Sequence, residues 1–472
     1  MRTLGLEDVL NATGGKALSQ HETKFNGIGT DTRSSMSGQL FIALAGENFD
    51  AHNFVEEAVR SGAAGILVHA VSPAVEAARG KMTVILVENT LKALQSLGNW
   101  ARRNSKAKII GITGSNGKTT TKEFTAAVLD GFKSVHYSKG SFNNHWGVPF
   151  TLLQLDPQKE VAVIEMGMNH AGEITELVKI AEPDIVCCTM VGRAHIEHFG
   201  TIEKVAEAKE EIYVAAGPGT TRVYNLDNAQ TKAMYSHAAK DFPAAKLITF
   251  SSTDAKADVV LKIDSLGLQN LKISGQIAGV PGQVDVPVFG AQNLTNLMAA
   301  AAIGIAAGLS SEQVWRGLAN CKTIWGRNQL LELKSGAQMI FDGYNANPDS
   351  MKALLDNVKI LKTAGRKVGV FGEMLEMGTL AASLHEELGE LVGKTGFDEV
   401  YFIGANSSAF EKGLKKSGFK NSATISSEFK DEMAMDLARG LKSGDIAMVK
   451  GSRGMKLERF VLPCEPLNFS AK

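Results

Sequence analysis

The chain has 472 residues, and its 50 lysine and arginine side chains balance 50 aspartate and glutamate side chains, so the formal net charge is zero. This balance argues against a protein that mainly coats nucleic acid or an anionic membrane, and 44% hydrophobic with 21% charged residues argues against disorder. The length suggests about three domains. Glycine is in excess, at 48 residues, which indicates many tight turns between strands and helices.

The first residues, MRTLGLEDVLNATGG, lack the basic and then apolar pattern of a signal peptide. The longest apolar run, from Met298 to Leu309, is too short to span a membrane. The four cysteines form no Cys-x-x-Cys pair, so neither a disulfide framework nor a zinc site is indicated. We therefore expect a reduced, cytoplasmic protein with no membrane span and no nucleic-acid partner.

Short apolar runs alternate with amphipathic stretches, which is typical of α/β units around mainly parallel sheets. Near the N-terminus, strands are predicted at LFIAL (40–44) and GILV (65–68), with a helix from Asn53 between them. A helical connector follows, and Thr90 is predicted to cap it. Its apolar face is formed by Leu91, Leu94, Leu97 and Ala101.

The middle of the chain begins with the strand KIIGIT (108–113), which runs into a glycine-rich turn. Two further buried strands are predicted at VAVIEMG (161–167) and DIVCCTMV (184–191). A glycine- and valine-rich alternating segment, at about 255–290, favours antiparallel hairpins.

After a boundary near residue 320, four strands separated by helices are predicted at QMIF, KVGVF, EVYFIG and DIAMVK. The first intervening helix is indicated by the helical spacing of Met351, Leu354, Leu355, Val358 and Leu361. The patterns together predict three α/β domains, at residues 1–88, 89–320 and 321–472.

The most informative segment is GITGSNGKTTTKEF, where Gly114 and Gly117 permit a tight loop before a helix that begins at about Lys118. Such a loop directs backbone N–H groups and a helix N-terminus at one point, which favours a bound phosphate. Lys118 would contact the β- and γ-phosphates of ATP, and Thr119 would offer its hydroxyl to Mg²⁺. Ile112 replaces the first glycine of a regular Walker A motif. The alternative is a glycine turn with an exposed lysine.

Two residues at the ends of the next strands could assist the metal. Glu165 ends the strand VAVI and could hold Mg²⁺ directly or through water, while His195 lies just beyond the following strand. The alternatives are a glutamate satisfied at a strand end and a structural histidine. Because the carboxyl ends of parallel strands meet at one edge, the functional interpretation is favoured.

These pieces, in this spacing, resemble the Mur ligase family, the ATP-dependent amide-forming enzymes of peptidoglycan assembly. The family signature is a T-G-x-x-G-K-T loop, followed by a glutamate, a histidine and a lysine in an A-K-x-E-I context. Here these are Thr113 to Thr119, Glu165, His195 and Lys209. The resemblance implies an α/β fold with three-domain Mur ligase architecture, in which a P-loop-type central ATPase domain precedes a Rossmann-like C-terminal domain. It also implies that CO₂ carbamylates Lys209, which then binds a second Mg²⁺.

One branch of the family matches in all three predicted domains. The matching blocks are DTRSSMSGQLFIALAGENFDAHNF (31–54), NNHWGVP (143–149), YNANPDSM (344–351), GEMLEMG (372–378) and KGSRGM (450–455). This branch adds D-alanyl-D-alanine to UDP-MurNAc-tripeptide (UDP-N-acetylmuramoyl-tripeptide). The resemblance therefore implies these two small-molecule substrates, ATP and Mg²⁺ as cofactors and an acyl-phosphate intermediate. We also expect a monomer, although the sequence itself is silent on oligomeric state. It leaves open whether the third residue of the tripeptide is diaminopimelate or lysine.

The resemblance assigns residues to four groups. The catalytic group is Lys118, Glu165, His195 and Lys209, and the metal group is Thr119, Glu165, His195 and carbamylated Lys209. The ATP group is Gly114, Ser115, Asn116, Gly117, Lys118, Thr119, Thr120, Asn293, Asn296, Arg327, Asp342 and Tyr344. The substrate group is Asp31, Thr32, Arg33, Gly46, His52, Asn143, Asn144, Asn345, Asn347, Lys450 and Ser452.

Several assignments have plain alternatives. Asn293 and Asn296 could cap the helix NLTNLMAAAA, and Arg327 could lie in a surface turn. His385 and Glu376 are further candidates for the dipeptide pocket, although either could be a helix-surface residue. Departures from the family pattern are Thr32, Ala51, Gln292 and Phe341, where serine, glycine, histidine and aspartate are usual. Alternative functions are another Mur-type ligase, such as a folylpolyglutamate synthetase-like enzyme, or a catalytically silent nucleotide-binding scaffold.

Overall fold

The computed structural model describes residues 3–46, 49–194 and 196–470. In this part of the chain, sheets of five, nine and six strands follow one another, and most of their neighbouring strands are parallel. Helices connect the parallel strands. The predicted α/β class is therefore confirmed.

The first sheet has the strand order β2-β9-β8-β5-β4, with β2 antiparallel to β9. The strands of this region are β1 (Leu4–Gly5), β2 (Lys16–Ser19), β3 (Lys24–Phe25), β4 (Ile28–Gly29), β5 (Leu40–Ile42), β6 (Ala45–Gly46), β7 (Phe49–Asp50), β8 (Gly65–Val68) and β9 (Thr83–Leu86). The helices are α1 (Leu6–Thr13), α2 (Val55–Arg60), α3 (Pro73–Arg79) and α4 (Thr90–Arg103). Strand β8 coincides with its prediction, and β5 is two residues shorter than predicted. A 3₁₀ turn at Ala51–Phe54 precedes α2.

The central sheet has the order β11-β12-β10-β13-β14-β15-β16-β17-β18 and is parallel as far as β16. Its strands are β10 (Lys108–Thr113), β11 (Val135–Tyr137), β12 (Val161–Glu165), β13 (Ile185–Cys188), β14 (Thr221–Asn225), β15 (Leu247–Ser251), β16 (Val259–Leu266), β17 (Leu271–Ile277) and β18 (Val280–Val286). The helices are α5 (Lys118–Leu129), α6 (Gly147–Leu153), α7 (Glu173–Ala181), α8 (Ile196–Phe199), α9 (Ile202–Val214), α10 (Ala229–Asp241), α11 (Asn293–Ala306) and α12 (Ser311–Leu318). Strands β16 to β18 are antiparallel, as predicted.

The parallel strands of the central sheet are buried on both faces. One core lies under α5 and α11, and a second lies under α7 and α9. This explains the continuous apolar run of β12, because neither face of that strand meets water. In the register of the sheet, Glu165 pairs with Ile112 and Cys188 pairs with Thr113. The ends of β12 and β13 therefore lie beside the end of β10.

The third sheet has the order β19-β20-β24-β21-β22-β23. Its strands are β19 (Gln329–Glu332), β20 (Gln338–Asp342), β21 (Lys367–Gly372), β22 (Glu399–Ile403), β23 (Ser422–Ser426) and β24 (Ile446–Lys450). The helices are α13 (Pro348–Ile360), α14 (Ala381–Gly393), α15 (Ser407–Lys416), α16 (Asp431–Gly440) and α17 (Glu458–Val461). The four predicted strands are all present. The two edge strands, β19 and β23, were not predicted, because their partly exposed sequences lack a buried apolar run.

No described helix is long and apolar enough to cross a membrane. All four cysteine thiols are free and buried.

Helix α4 joins the first sheet to the central one. Its cap is Asn89 and not the predicted Thr90: Asn89 has an extended backbone, and its side chain accepts a hydrogen bond from Lys92 N at 2.9 Å. Thr90 is instead the first helical residue and is buried. Of the predicted apolar face, Leu94, Leu97 and Ala101 pack in the core of the first region, together with Leu153 of α6, whereas Leu91 is only half-buried.

Gly98 of α4 lies at this junction. A Cβ atom there would stand 2.5 Å from Pro149 Cβ and 2.6 Å from Pro149 Cα, so α4 and α6 could not approach as closely with any other residue.

We expect Gly98→Ala to lower the free energy of unfolding by about 1–3 kcal/mol, because the added methyl group overpacks a rigid contact. Differential scanning calorimetry of the whole chain would measure the effect. The control is Gly80→Ala at the exposed end of α3, where the nearest atom is 4.0 Å away and the effect should stay below about 1 kcal/mol. Equal effects of the two substitutions would contradict the close packing of α4 on α6.

Candidate active site

The loop at residues 114–117 turns from β10 into α5, which begins at Lys118 as predicted. Gly114 and Gly117 have φ angles of +145° and +81°. A Cβ atom would stand 2.0 Å from Thr189 Oγ1 at Gly114 and 2.3 Å from Asn296 Oδ1 at Gly117. Both positions therefore require glycine, for backbone conformation and for space.

The loop is held from the segment that follows β13. Ser115 N donates to Met190 O at 2.8 Å, and Thr189 Oγ1 donates to Asn116 O at 2.6 Å. Lys118 Nζ donates back to Gly114 O at 2.8 Å. These bonds fix the loop while the first N–H groups of α5 have no intrahelical acceptor, which is the arrangement that binds phosphate.

A cavity of about 150 Å³ opens in front of this loop. It brings together residues from the central and third regions. The lining comprises Ser115, Asn116, Gly117, Lys118, Thr119, Thr120, Ser141, Asn143, Glu165, Arg327, Tyr344 and Asn345. Eleven of these twelve residues belong to the predicted site, and Ser141 was not predicted.

Glu165 is 1% exposed and has one oxygen without a partner. Oε1 accepts a hydrogen bond from Asn143 Nδ2 at 2.8 Å, whereas Oε2 has no hydrogen-bond partner among the described residues. A buried carboxylate oxygen of this kind suits a hard divalent cation. The alternative, a glutamate whose hydrogen bonds are all satisfied within the protein, therefore describes Oε1 but not Oε2. His195, predicted to share this role, lies outside the described residues.

Lys209 of α9 is 1% exposed, so the alternative of a solvated helix face is wrong. It donates no hydrogen bond to any residue in the described ranges. Burial, assisted by the positive charge of Lys118, lowers the pKa of Lys209 to about 7. Burial also lowers the pKa of Lys118, and the nearby carboxylate of Glu165 opposes that shift.

Two side chains of the third region line the cavity in front of the phosphate loop. Tyr344 OH donates to Ser141 Oγ at 2.7 Å, and the Arg327 guanidinium lies 4.4 Å from the centre of the Tyr344 ring. Arg327 Nη2 also donates to Thr119 Oγ1 at 3.4 Å. Arg327 is therefore not a surface-turn residue.

Asp342 and Lys450 form a buried ion pair at the ends of adjacent strands β20 and β24. Their atoms Oδ2 and Nζ are 2.6 Å apart, and the two residues are 7% and 1% exposed. Lys450 Nζ also donates to Asn345 O at 3.0 Å. Phe341, in the place of the family aspartate, points to the other face, where its ring packs against Trp325.

The phosphate loop is also bonded to the start of α13. Asn116 and Asn347 exchange two amide hydrogen bonds, at 3.3 and 2.8 Å. Asn347 Oδ1 additionally accepts from Ser350 N at 3.0 Å, which caps α13. Nearby, Arg193 N donates to Asp349 Oδ2 at 2.7 Å. Both the oxygen and the nitrogen of the Asn347 side-chain amide are therefore hydrogen-bonded within the protein.

A second cavity of about 290 Å³ lies beside the first. Its lining includes Asn116, Gly117, Thr120, Asn293, Asn296, Arg327, Asp342 and Lys450. The capping alternative for Asn293 and Asn296 is wrong, because Gln292 occupies the N-cap position of α11. Asn293 Nδ2 donates to Phe289 O at 2.7 Å, and Asn296 Nδ2 donates to Asn293 Oδ1 at 3.1 Å. Gln292 Oε1 accepts from Asn357 Nδ2 of α13 at 2.6 Å.

The first region has its own cavity of about 410 Å³. It is lined by Thr30, Asp31, Thr32, Arg33, Phe41, Phe49, Ala51 and Phe54. Arg33 Nε donates to Asp31 Oδ1 at 2.9 Å, and Arg33 Nη2 donates to Asp31 Oδ2 at 2.7 Å. These hydrogen bonds lower the pKa of Asp31 to about 2. His52 and Gly46 do not line this cavity. His52 Nδ1 bonds to Asp50 Oδ1 at 2.6 Å, and its Nε2 accepts from His69 N at 3.1 Å.

Three other candidates have internal partners and line none of these cavities. Asn144 Oδ1 accepts from Gly147 N at 2.9 Å, and Ser452 Oγ accepts from Leu375 N at 2.9 Å. His385 is buried, not on the helix surface; its Nε2 accepts from Met374 N at 3.0 Å, and Nδ1–H donates to Ala381 O. Glu376 lies in an exposed loop with φ +63°.

Sequence reasoning missed Ser141, which contacts both Thr119 and Tyr344. The signal that could have drawn attention to it is its position two residues before Asn143 in the block that begins Asn-Asn.

Comparison with known proteins decides the family. Three family models match the chain: "Mur ligase family, catalytic domain" over 24–101, "Mur ligase middle domain" over 112–304, and "Mur ligase, glutamate ligase domain" over 326–453. Together they cover most of its length. This chain belongs to the Mur ligase family. The predicted three-domain Mur ligase architecture is thereby confirmed.

Two curated Mur ligases are similar over nearly their whole length, and both are named UDP-N-acetylmuramoyl-tripeptide–D-alanyl-D-alanine ligase. The Bacillus subtilis protein is 36% identical, with 93% of each chain covered, and the Escherichia coli protein is 32% identical, with 97% of this chain and 96% of the relative covered.

Solved structures of Mur ligases are also similar to this chain. MurF from Acinetobacter baumannii has a TM-score of 0.86 at 28% identity, with 98% of both chains covered. MurF from Thermotoga maritima in complex with ADP has a TM-score of 0.76 at 28% identity, with 92% of this chain and 96% of that chain covered.

We expect Asp342→Ala to destabilise the third region of this Mur ligase by about 3–5 kcal/mol, because it leaves the Lys450 ammonium buried without its carboxylate. The double variant Asp342→Leu/Lys450→Met should recover most of that loss. Chemical denaturation followed by intrinsic tryptophan fluorescence, to which Trp325 of the third region contributes, would measure both.

The control for this ion pair is Asp356→Ala, which breaks the exposed pair with Lys352 and should cost no more than about 0.5 kcal/mol. If Asp342→Ala costs no more than this control, the buried pair does not stabilise the fold as argued.

Proposed function

We propose that this chain joins D-alanyl-D-alanine to UDP-MurNAc-tripeptide and converts ATP to ADP and phosphate. The observation that carries the proposal is that relatives of this activity align with all three regions. In addition, Lys118 and Glu165 line one cavity, and Lys209 lies near enough to Lys118 for that charge to lower its pKa. A silent scaffold would be expected to lose such residues. A folylpolyglutamate synthetase-like enzyme would lack the Asp31–Arg33 cavity and the YNANP block that leads into α13.

The proposed first step transfers the γ-phosphoryl group of ATP to the terminal carboxylate of the tripeptide. Two anions must meet, so positive charge has to be concentrated at the point of transfer. Lys118, the N-terminus of α5 and Arg327 supply that charge from two regions of the chain. The amino group of D-alanyl-D-alanine then attacks the acyl phosphate, and the tetrahedral intermediate collapses to the amide and phosphate.

The residues present fit Mg²⁺. When bound, this ion would neutralise the phosphate oxygens of ATP. Glu165 Oε2 and Thr119 Oγ1 would hold it, because the first is a buried oxygen without a partner and the second faces the same cavity. The adjacent cavity lined by Asn293 and Asn296 would take the rest of the nucleotide, and the Asp31–Arg33 cavity would take the uridine end of the second substrate.

We further propose domain boundaries after residues 88 and 320. Contacts such as Asn116–Asn347 and Tyr344–Ser141 support a closed arrangement of the second and third domains, which would align the substrates and exclude water. We propose that the chain acts as a monomer. We also propose a cytoplasmic location, since ATP and UDP-linked precursors are cytoplasmic metabolites.

Phosphate release with ATP, UDP-MurNAc-tripeptide and D-alanyl-D-alanine tests the proposal. We expect release to require all three, and Lys118→Met to lower kcat at least about 10²–10³-fold because a charge at the transferred phosphoryl group is lost. The control is Lys108→Met at the exposed start of β10, which should retain activity. Release no higher than in the absence of dipeptide would favour the scaffold. Tripeptides ending in diaminopimelate and in lysine should be compared directly.

We propose that Lys209 is carbamylated. The neutral amine attacks the carbon of CO₂, an N–C bond forms, and one proton leaves the nitrogen for solvent. An exposed lysine is almost fully protonated at neutral pH, whereas the pKa of about 7 leaves a large share of Lys209 neutral. The product is an anion, which suits a buried position beside Lys118 better than a second cation does and could bind a second Mg²⁺.

We expect ¹³C-labelled bicarbonate to give a carbamate resonance in the unmodified chain and not in Lys209→Arg, because a guanidinium is not deprotonated in proteins. Lys204→Arg, exposed on the same helix, is the control and should keep the resonance. The signal should decline as the pH falls through about 7, since the amine becomes protonated. If Lys209→Ala is inactive and neither bicarbonate nor a short carboxylic acid changes the rate of any variant, carbamylation is wrong.

A further inference from the structure

Lys122 lies one turn beyond Lys118 on α5 and is wholly buried. Its Nζ donates to Ser138 O at 2.6 Å and to Gly140 O at 2.7 Å. The carboxylate of Glu123 lies 3.1 Å away. The proposed reaction does not use this residue, and sequence reasoning did not select it.

A buried ammonium is expensive in free energy. Removing it from water costs several kcal/mol, which carbonyl acceptors and one carboxylate offset only in part. Methionine would fill the same volume without that cost. What methionine could not do is donate hydrogen bonds to two backbone carbonyls at once, so the cation is suited to holding the backbone at Ser138 and Gly140.

The backbone so held belongs to the 138–143 segment, which continues into the metal side of the cavity. Ser138 Oγ accepts a hydrogen bond from Glu165 N at 3.4 Å. Asn143 Nδ2 donates to Glu165 Oε1 at 2.8 Å, and Asn143 O accepts from Gly167 N at 2.7 Å. The segment therefore contacts Glu165 through backbone and side chain, and it leaves Oε2 as the oxygen without a partner.

The same segment also contacts the nucleotide side. Ser141 Oγ lies 3.4 Å from Thr119 Oγ1 and accepts from Tyr344 OH at 2.7 Å. A shift of the 138–143 segment would consequently move the partners of Thr119 and Glu165, the two described side chains proposed to hold Mg²⁺.

We propose that Lys122 is a positioning residue for the metal–nucleotide site: it fastens the 138–143 segment to the phosphate-loop helix so that Ser141 and Asn143 orient Thr119 and Glu165. This inference rests on the proposed function. Because α5 carries both Lys118 and Lys122, one helix sets the position of the phosphate loop and of the neighbouring segment.

The test measures ADP binding by calorimetry, with and without Mg²⁺, alongside phosphate release and thermal unfolding. We expect Lys122→Met to weaken Mg²⁺-dependent ADP binding by about 10–100-fold, as for other residues that orient metal ligands. ADP binding without Mg²⁺ should change by less than about threefold, because the phosphate loop itself is held by Met190 and Thr189. The matched control, Glu123→Gln, keeps both carbonyl bonds and should behave as the unmodified chain.

A double-mutant cycle distinguishes a positioning role of Lys122 from a general effect on the stability of the chain. If Lys122 acts through the segment, the losses of Lys122→Met and Ser141→Ala in Mg²⁺-dependent binding should be less than additive in the double variant. Full additivity, or a folded Lys122→Met chain with unchanged Mg²⁺ dependence, would overturn the inference. If Lys122→Met does not fold, Lys122→Leu, which likewise has no donor for the two carbonyls, replaces it under the same criteria.

Failure of the Lys122 inference and failure of the proposed function would give different experimental results. If the unmodified chain releases no phosphate with all three substrates, the ligase proposal fails, whereas the ADP and Mg²⁺ measurements still decide the role of Lys122.

Discussion

Two glycines with left-handed φ angles let the chain turn from β10 into α5 within four residues, and Thr189 and Asn296 pack against their bare α-carbons. This close approach joins the end of β13 and the start of α11 to one loop. Because the neighbouring parallel strands end at the same edge, Glu165 arrives beside that loop as well. The cavity, and the contacts from the third region, are arranged around this single turn.

Buried positive charge is the second organising feature, and a net charge of zero conceals it. Lys450 is neutralised by the carboxylate of Asp342, whereas Lys122 donates to two backbone carbonyls and is paired with the carboxylate of Glu123. Lys209 has neither kind of partner among the described residues, and its lowered pKa is the physical consequence. The three buried lysines thus differ in their surroundings: Lys450 is half of an ion pair, Lys122 is a proposed clamp on backbone, and Lys209 is a proposed site of carbamylation.

Local pattern predicted some interior strands, β12 among them, but it did not predict the buried interior strands β14 and β15 or the edge strand β23. Strand β12 is buried on both faces, so its sequence is a continuous apolar run. The edge strand β23 is largely exposed and carries no such run. The cap of α4 was placed one residue late, because Asn89 and Thr90 are both good capping residues and only the extended backbone at Asn89 distinguishes them. Ser141 was missed because a lone serine in a loop has no periodic or spacing signal.

By itself, the sequence determined the strand–turn–helix around Lys118, since that motif depends on residues that are neighbours along the chain. It also carried the family resemblance, because the motif blocks are distributed through all three domains. Only the tertiary structure decided which side chains from distant parts of the sequence contact each other. Asn116 and Asn347 are separated by 231 positions, and which amide meets which depends on how the sheets pack. Burial likewise decided the pKa of Lys209, because that pKa is lowered by chain segments distant in sequence that exclude water from the side chain.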